Sequence, residues 1–393
     1  MSHSAPSQVP FLSEPPADDP LRVRLYTPGP LTTSATVRAA LGRDWGSRDP
    51  QFIALVREIR EQLPTLVSAQ PELWTTVLMQ GSGSFAVEAM LGTVPPRDKK
   101  LLVLINGAYG RRMADMARRA GLVVVTLETA EDEPPTAGAV AAALASDPAI
   151  GAVAAVHCET TSGILNPIEA LGPVVRSAGA LFLVDAMSSL GGIPLDAEAS
   201  CIDAVVSSAN KCIEGVPGFA FALVRKQVLQ GCAGRCHSVV LDLHAQWQGF
   251  ERDGQFRFTP PTHTLAAFYQ ALQELAQEGG VAGRNARYRH NQATLMAGML
   301  ELGFVPYLPP HLQAPIITTF YLPGSAGFDF VRFYDGLAQR GLYIYPGKLT
   351  KAPCFRIGAI GRLFAADFEL LLQAIRDILA EMNVATPVAP PAL

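Results

Sequence analysis

Charge, cysteine and long apolar runs are all scarce in this sequence. Only 17% of its 393 residues are charged, 31 basic against 35 acidic, for a formal net charge of -4. Without a block of lysine and arginine, nothing points to a nucleic-acid partner. The six cysteines, at 158, 201, 212, 232, 236 and 354, are scattered and do not form a disulfide framework. The nearest pair, Cys232 and Cys236, lacks a second pair to complete a zinc site, and no His/Asp/Glu spacing matches a metal motif. A reducing cytoplasm suits that usage. The opening MSHSAPSQVPFLSEPPADDP holds no apolar stretch long enough for a signal peptide or a membrane span, so residues 1–24 are expected to be a flexible tail. The 34 glycines and 31 prolines follow no period and mark turns.

What is present begins with length. A chain of 393 residues, 49% hydrophobic, exceeds one core and predicts two domains. The mean hydropathy of +0.21 hints at apolar surface covered by a second subunit. Short, nearly continuous apolar runs recur: TTVLMQG (75–81), KLLVLING (100–107), GLVVVTL (121–127), AIGAVAAVHCE (149–159), ALFLVDA (180–186) and IDAVVSS (202–208). Continuous runs, as opposed to alternating ones, predict strands buried on both faces of a mainly parallel sheet. The segments between them show helical spacing, and Asn166 before Pro167 reads as an N-cap with a first-turn proline. The result is an α/β domain over 25–262, with ligands expected beyond the carboxyl ends of its strands. From 263 to 393 helices alternate with the strand-like runs FVPYL, APIITTFYL, GLYIYPG and CFRIGAIG, which predicts a small α+β domain. The helical segment LVREIREQLPTLV before the sheet is expected to pack on that small domain.

Three places concentrate chemistry. Lys211, in SSANKCIEGVPG, sits at a strand exit among small residues, where desolvation lowers the pKa of an amine and exposes a nucleophile. Asp185 ends the very apolar strand LFLVD, where a carboxylate needs a cationic or hydrogen-bonding partner, or else caps the next turn. Both lie at carboxyl ends and can face one cavity. The third place is GSGSFAVEAML, in which the N–H groups of Gly83 and Ser84 and the hydroxyls of Ser82 and Ser84 can cradle a phosphate at a helix start. It matches neither the P-loop nor the G-x-G-x-x-G spacing, which argues against a dinucleotide oxidoreductase. Tyr109, in NGAYG, is placed to lay its ring on an aromatic ligand or to pack on the helix behind it. His157 reads as a hydrogen-bonded structural histidine and His263 as scaffold at an interdomain hinge.

In order, GSGSFAVEAML, INGAYG, HCETTSGILNP, VDAMSS, SSANKCIEGVPGF, RFTPPTH and FRIGAIG resemble the fold type I aminotransferases that use pyridoxal 5'-phosphate. The resemblance runs from about Leu25 to the last helix. It points to the class V branch, which also holds alanine–glyoxylate and serine–pyruvate enzymes. Within it, YTPGPLTTS and SSANKCIEGVPGF look most like the group that moves the amino group of 2-aminoethylphosphonate to pyruvate. The resemblance implies a mainly parallel seven-stranded sheet and a ping-pong cycle yielding phosphonoacetaldehyde and L-alanine. It also implies a homodimer with shared active sites. The alternative is a transaminase of the same branch, acting on a hydroxylated aminoethylphosphonate or on alanine or serine with glyoxylate or pyruvate. A lyase or desulfurase would need a flexible cysteine-bearing loop, and none is evident.

The resemblance also assigns roles. Lys211 would form the imine with the cofactor aldehyde, and Asp185 would pair with the ring nitrogen. Ser82, Gly83, Ser84 and Asn210 would hold the phosphate, joined by Thr259 from the neighbouring subunit. Tyr109 would stack on the ring and Thr160 would bond near its hydroxyl edge. Arg356 would clamp the keto-acid carboxylate as a bidentate fork; without the resemblance, an ion pair with a structural acid is its other reading. For the phosphonate end the candidates are Arg48, which otherwise pairs with Asp49 on the surface, and the turn around Gly29. Arg356 serving both half-reactions is a further option.

Overall fold

Each of the six apolar runs, and the segment GFAFALVR that returns after Lys211, forms a strand. The computed structural model describes residues 23–349 and 352–391. Of the expected tail over 1–24, residues 1–22 lie outside the described residues, and Arg24 already belongs to a strand. In chain order the strands are β1 (Arg24–Leu25), β2 (Trp74–Gln80), β3 (Lys100–Ile105), β4 (Val123–Glu128), β5 (Ile150–Val156), β6 (Cys158–Glu159), β7 (Ile164–Leu165), β8 (Leu181–Asp185), β9 (Ala204–Ser208), β10 (Phe219–Arg225), β11 (Ile317–Tyr321), β12 (Leu342–Tyr343), β13 (Tyr345–Pro346) and β14 (Cys354–Gly358).

Seven of them make the large sheet, in the order β2-β10-β9-β8-β5-β3-β4. Six run in one direction, and β10 alone is reversed, antiparallel to both β2 and β9. Interior strands such as β5, β9 and β10 are buried at almost every position, which explains their continuous apolar sequence. The run GLVVVTL behaves differently: β4 is an edge strand, and Val123 is 61% exposed.

The small domain is built on an antiparallel three-stranded sheet, β11-β14-β13. FVPYL forms no strand, only an isolated bridge from Pro306 to Phe320. Phe304, Phe320, Phe333 and Phe355 pack there against the helix Ala365–Glu381. The N-terminal segment joins this domain. There β1 pairs in parallel with β12, Tyr26 is buried with its ring 5.3 Å from Phe368, and Arg24 and Asp367 form a buried ion pair at 2.6 Å.

Three further expectations need correction. The helix Pro50–Gln62 packs on the large domain, not the small one: Phe52, Leu55, Val56 and Ile59 join its core. The reason is an open sheet edge, whose carbonyls need donors; Arg60 Nε reaches across to the Thr76 carbonyl at 3.0 Å. The helix Thr262–Gln277 likewise buries Leu265, Phe268, Leu272 and Leu275 in the large core, so the expected division at 262/263 falls one helix early by packing. Finally, Asn166 is not a side-chain cap. It bonds Asn106 and the Val156 carbonyl, at 2.8 Å for the latter, and the helix Ile168–Ser177 starts without a side-chain cap.

Phe268 packs edge-on to Phe219 with centroids 4.9 Å apart. Phe268→Ala is therefore expected to destabilise the chain by about 3–5 kcal/mol in urea unfolding, as deletion of a buried aromatic does. A loss under about 1 kcal/mol would show that this helix adds little to the large core.

Candidate active site

The site lies where β5, β8 and β9 end side by side. Val156 pairs in register with Asp185, and Asp185 with Val206. At the end of β8 the chain turns at once, and the Met187 N–H donates to Asp185 Oδ1 at 2.8 Å. Asp185 is only 6% exposed. Burial pushes its carboxyl up to about 6, against the opposing pull of the Met187 N–H, Lys211 and Arg112.

Lys211 comes three residues after β9 and lines the same cavity as Asp185, Gly83, Ser84 and Tyr109. Its Nζ donates to the Pro28 carbonyl. Burial brings its pKa down to about 8, helped by the Arg356 charge and opposed by Asp185. Gly29 has φ +113°, and a Cβ there would stand 2.8 Å from Lys211 Cδ and Nζ. The turn in YTPGPL thus closes over the lysine chain.

The lysine turn is braced from below. The Glu214 N–H donates to the Lys211 carbonyl at 2.7 Å, with Glu214 held in the left-handed region at φ 67°. Glu214 Oε1 accepts from Tyr288 Oη and from Arg287 Nη2, both at 2.7 Å. Arg284 Nη1 donates to the Cys212 carbonyl at 2.6 Å, and Glu278 pairs with both arginines. Arg287 Nη1 continues to the carbonyls of Gly361 and Leu363. Such buried charges persist only when paired this thoroughly.

The remaining expected residues fall into place unevenly. Ser82 is the N-cap residue of the helix Gly83–Thr93, exposed, with a hydroxyl that makes no cap bond. A Cβ on Gly83 would lie 2.3 Å from Met187 Sδ, so glycine is what lets the Met187 side chain pack against this turn. Asn210 precedes the lysine and is half-buried. Thr160 lies in the β6–β7 hairpin, 1% exposed, and its Oγ1 has no hydrogen-bond partner among the described residues. Its carbonyl accepts from Arg356 Nη1 at 2.9 Å. Arg356, on β14, is 1% exposed, and its Nε donates to Pro346. Among the described residues no carboxylate forms an ion pair with it, which removes the structural-acid reading.

Of the expected residues, Gly83, Ser84, Tyr109, Asp185 and Lys211 line the cavity, and Arg48 and Thr259 lie on the exposed surface. Arg48 is exposed on the turn before the helix Pro50–Gln62, with Asp253 as its electrostatic neighbour, while Asp49 caps that helix through Gln51. Thr259 is exposed, and its carbonyl accepts from Gln80 Nε2 at 3.0 Å, just before the Gly81–Ser84 turn. His157 is buried and bonded to Ser189 Oγ at 2.9 Å; burial lowers its pKa to about 4, so it stays neutral. His263 is exposed and paired with Asp44 at 3.1 Å. Among the described residues no His/Cys/Asp/Glu group is arranged for a metal ion.

Sequence reasoning missed Arg112, Met187 and Glu159. Arg112 lies three residues after Tyr109 on one helix face, the spacing that could have flagged it. Its guanidinium sits 5.0 Å from the Tyr109 ring centroid and 3.5 Å from Ser84 Oγ. Glu159 follows an apolar strand much as Asp185 does, and the same argument would have found it.

An amine with its pKa near 8 can be a nucleophile at neutral pH. Its acylation by an amine-directed reagent, followed by peptide mass spectrometry, is expected to rise about tenfold per pH unit and level off near 8. Asp185→Asn removes a charge that holds the amine protonated, so the plateau should begin at lower pH. A plateau near 10 in the unsubstituted chain would contradict the desolvated environment.

Comparison with known proteins gives this geometry a context. The family profile "Aminotransferase class-V" matches residues 33–367. The 2-aminoethylphosphonate–pyruvate transaminase of Syntrophobacter fumaroxidans is 53% identical over 354 residues, 90% of this chain and 95% of that protein. The enzyme of the same name from Rhizobium meliloti is 48% identical over 369 residues, 94% of this chain and 96% of its own. Among solved structures, an alanine–glyoxylate aminotransferase from Nostoc sp. superposes with a TM-score of 0.84 at 26% identity, covering 94% of this chain and 98% of that one.

Proposed function

This chain belongs to the class-V aminotransferases, pyridoxal-phosphate enzymes of fold type I, and we propose that it moves the amino group of 2-aminoethylphosphonate to pyruvate. One observation carries the site assignment: Lys211 and Asp185, both desolvated, face one cavity from the ends of adjacent strands. The names of relatives near 50% identity support the choice of donor and acceptor.

The residues present fit the cofactor. The buried Thr160 Oγ1 has no partner among the described residues and can take the polar edge of a ring, and the N–H groups of Gly83 and Ser84 at the start of their helix suit a phosphate. Ser82, Ser84 and Asn210 would complete that phosphate site, Tyr109 would cover one ring face, and Asp185 would meet the ring nitrogen. When bound, pyridoxal phosphate supplies an aldehyde that receives and returns the amino group and a ring that accepts the electrons of a broken C–H bond.

The chain's own residues then do the following. Lys211 Nζ would take the proton from the amine-bearing carbon of the donor and deliver it to the carbon of the cofactor aldehyde, a task suited to an amine already lowered toward neutral pH. Asp185, whose charge is penalised by burial, is stabilised by any cation placed against it and stabilises that cation in return. Arg356 holds the pyruvate carboxylate by a two-pronged contact, since its guanidinium is buried without an acid of its own. Gly29, against Lys211, lies where the phosphonate end of the donor would pass, whereas Arg48 would need a partner subunit to bring it near. A homodimer is part of this reading. Thr259 faces outward with Phe258, 42% exposed, and Phe85, 51% exposed, beside it in the fold around the Gly81 turn.

The decisive assay is a donor panel with pyruvate as acceptor, following alanine. 2-Aminoethylphosphonate should be the best donor, ahead of its 1-hydroxy form, β-alanine and serine; activity confined to alanine with glyoxylate would move the enzyme elsewhere in its family. Lys211→Ala should abolish turnover and the borohydride-sensitive absorbance band together. Arg356→Lys keeps charge but loses the fork, and should lower kcat/KM for pyruvate by roughly 10- to 100-fold, mostly through KM.

A further inference from the structure

Glu159 carries a fully buried carboxylate that takes no part in the steps above. Both of its oxygens are engaged. Oε2 accepts the Tyr109 N–H at 3.0 Å and the Gly110 N–H at 3.4 Å, and Oε1 accepts Thr161 Oγ1 at 2.7 Å. The two N–H groups belong to the first turn of the helix Ala108–Arg119, where no carbonyl of the helix itself can receive them. The N-cap residue, Gly107, has no side chain to offer. A Cβ there would fall 2.3 Å from Glu159 Cδ, so glycine is what lets the carboxylate close on the helix end. A negative charge is also favoured at this position by the helix dipole. Burial pushes the carboxyl up to about 7, while the three donors draw it down toward the ionised form they bind.

The residue fixed most directly is Tyr109, whose own backbone N–H makes the shorter of the two helix bonds and whose ring lines the cavity. We propose that Glu159 is a positioning residue for Tyr109, holding the helix end so that the tyrosine ring meets the cofactor at a fixed angle. This rests on reading the cavity as the pyridoxal-phosphate site.

The test is a double-mutant cycle read by the dissociation constant for pyridoxal phosphate, measured by equilibrium ultrafiltration of the full chain. Glu159→Gln puts a neutral amide against donors and should weaken binding about tenfold. Tyr109→Ala should weaken it as well, and Glu159→Gln added to Tyr109→Ala should cost no more than Tyr109→Ala alone. Should Glu159→Gln fail to fold by circular dichroism, Thr161→Val removes one of the three bonds, with a smaller loss expected, about threefold, again absent in the Tyr109→Ala background. Equal losses with and without the tyrosine ring, or no loss in either background, would overturn the proposal alone. Failure of the unsubstituted chain to bind pyridoxal phosphate would overturn the cofactor reading, and the proposal with it.

Discussion

A half-buried amine and a buried carboxylate, facing one small cavity, set the terms for the rest of this molecule. Neither Lys211 nor Asp185 would be tolerated at its burial without compensation. Asp185 is compensated by the Met187 N–H and by Lys211 itself. Lys211 is compensated by the Pro28 carbonyl and by a turn whose Ala209, Lys211 and Cys212 carbonyls all accept hydrogen bonds. Burial moves the two pKa values toward each other, the amine down to about 8 and the carboxyl up to about 6.

Holding that pair requires both cores. The buried network of Glu214, Glu278, Arg284, Arg287 and Tyr288 links the lysine turn to the carbonyls of Gly361 and Leu363, in the segment that follows the Arg356 strand. From the other direction, the N-terminal segment leaves the small domain at Tyr26 and reaches Lys211 through Pro28 and Gly29. The lysine and the arginine therefore sit on two domains but share one set of braces. A shift between the domains would be felt at Lys211 and at Arg356 together.

Much of this could be read from the chain. Runs such as ALFLVDA and IDAVVSS became β8 and β9 because continuous apolar sequence only suits a strand covered on both faces. Lys211 and Asp185 were found because a charge at the end of such a strand is costly and so carries information. Where reading failed, the local pattern was ambiguous. An amphipathic helix such as Pro50–Gln62 shows which of its faces is apolar but not which core receives that face. Asn166 before Pro167 carries a capping signal, yet its amide found a better set of partners in Asn106 and Val156.

The sequence by itself determined most of the elements, the chemical groups and the family, because strand burial, turn glycines and motif order are written in residues close together along the chain. Only the tertiary structure decided which strands are neighbours, that Arg356 reaches the carbonyl of Thr160 across 196 residues, and that Glu159 ends up beneath Tyr109. The reason is the range of the forces. Propensity and periodicity act over a few residues, while desolvation and hydrogen bonding act through space, on whatever the fold brings within about 3 Å.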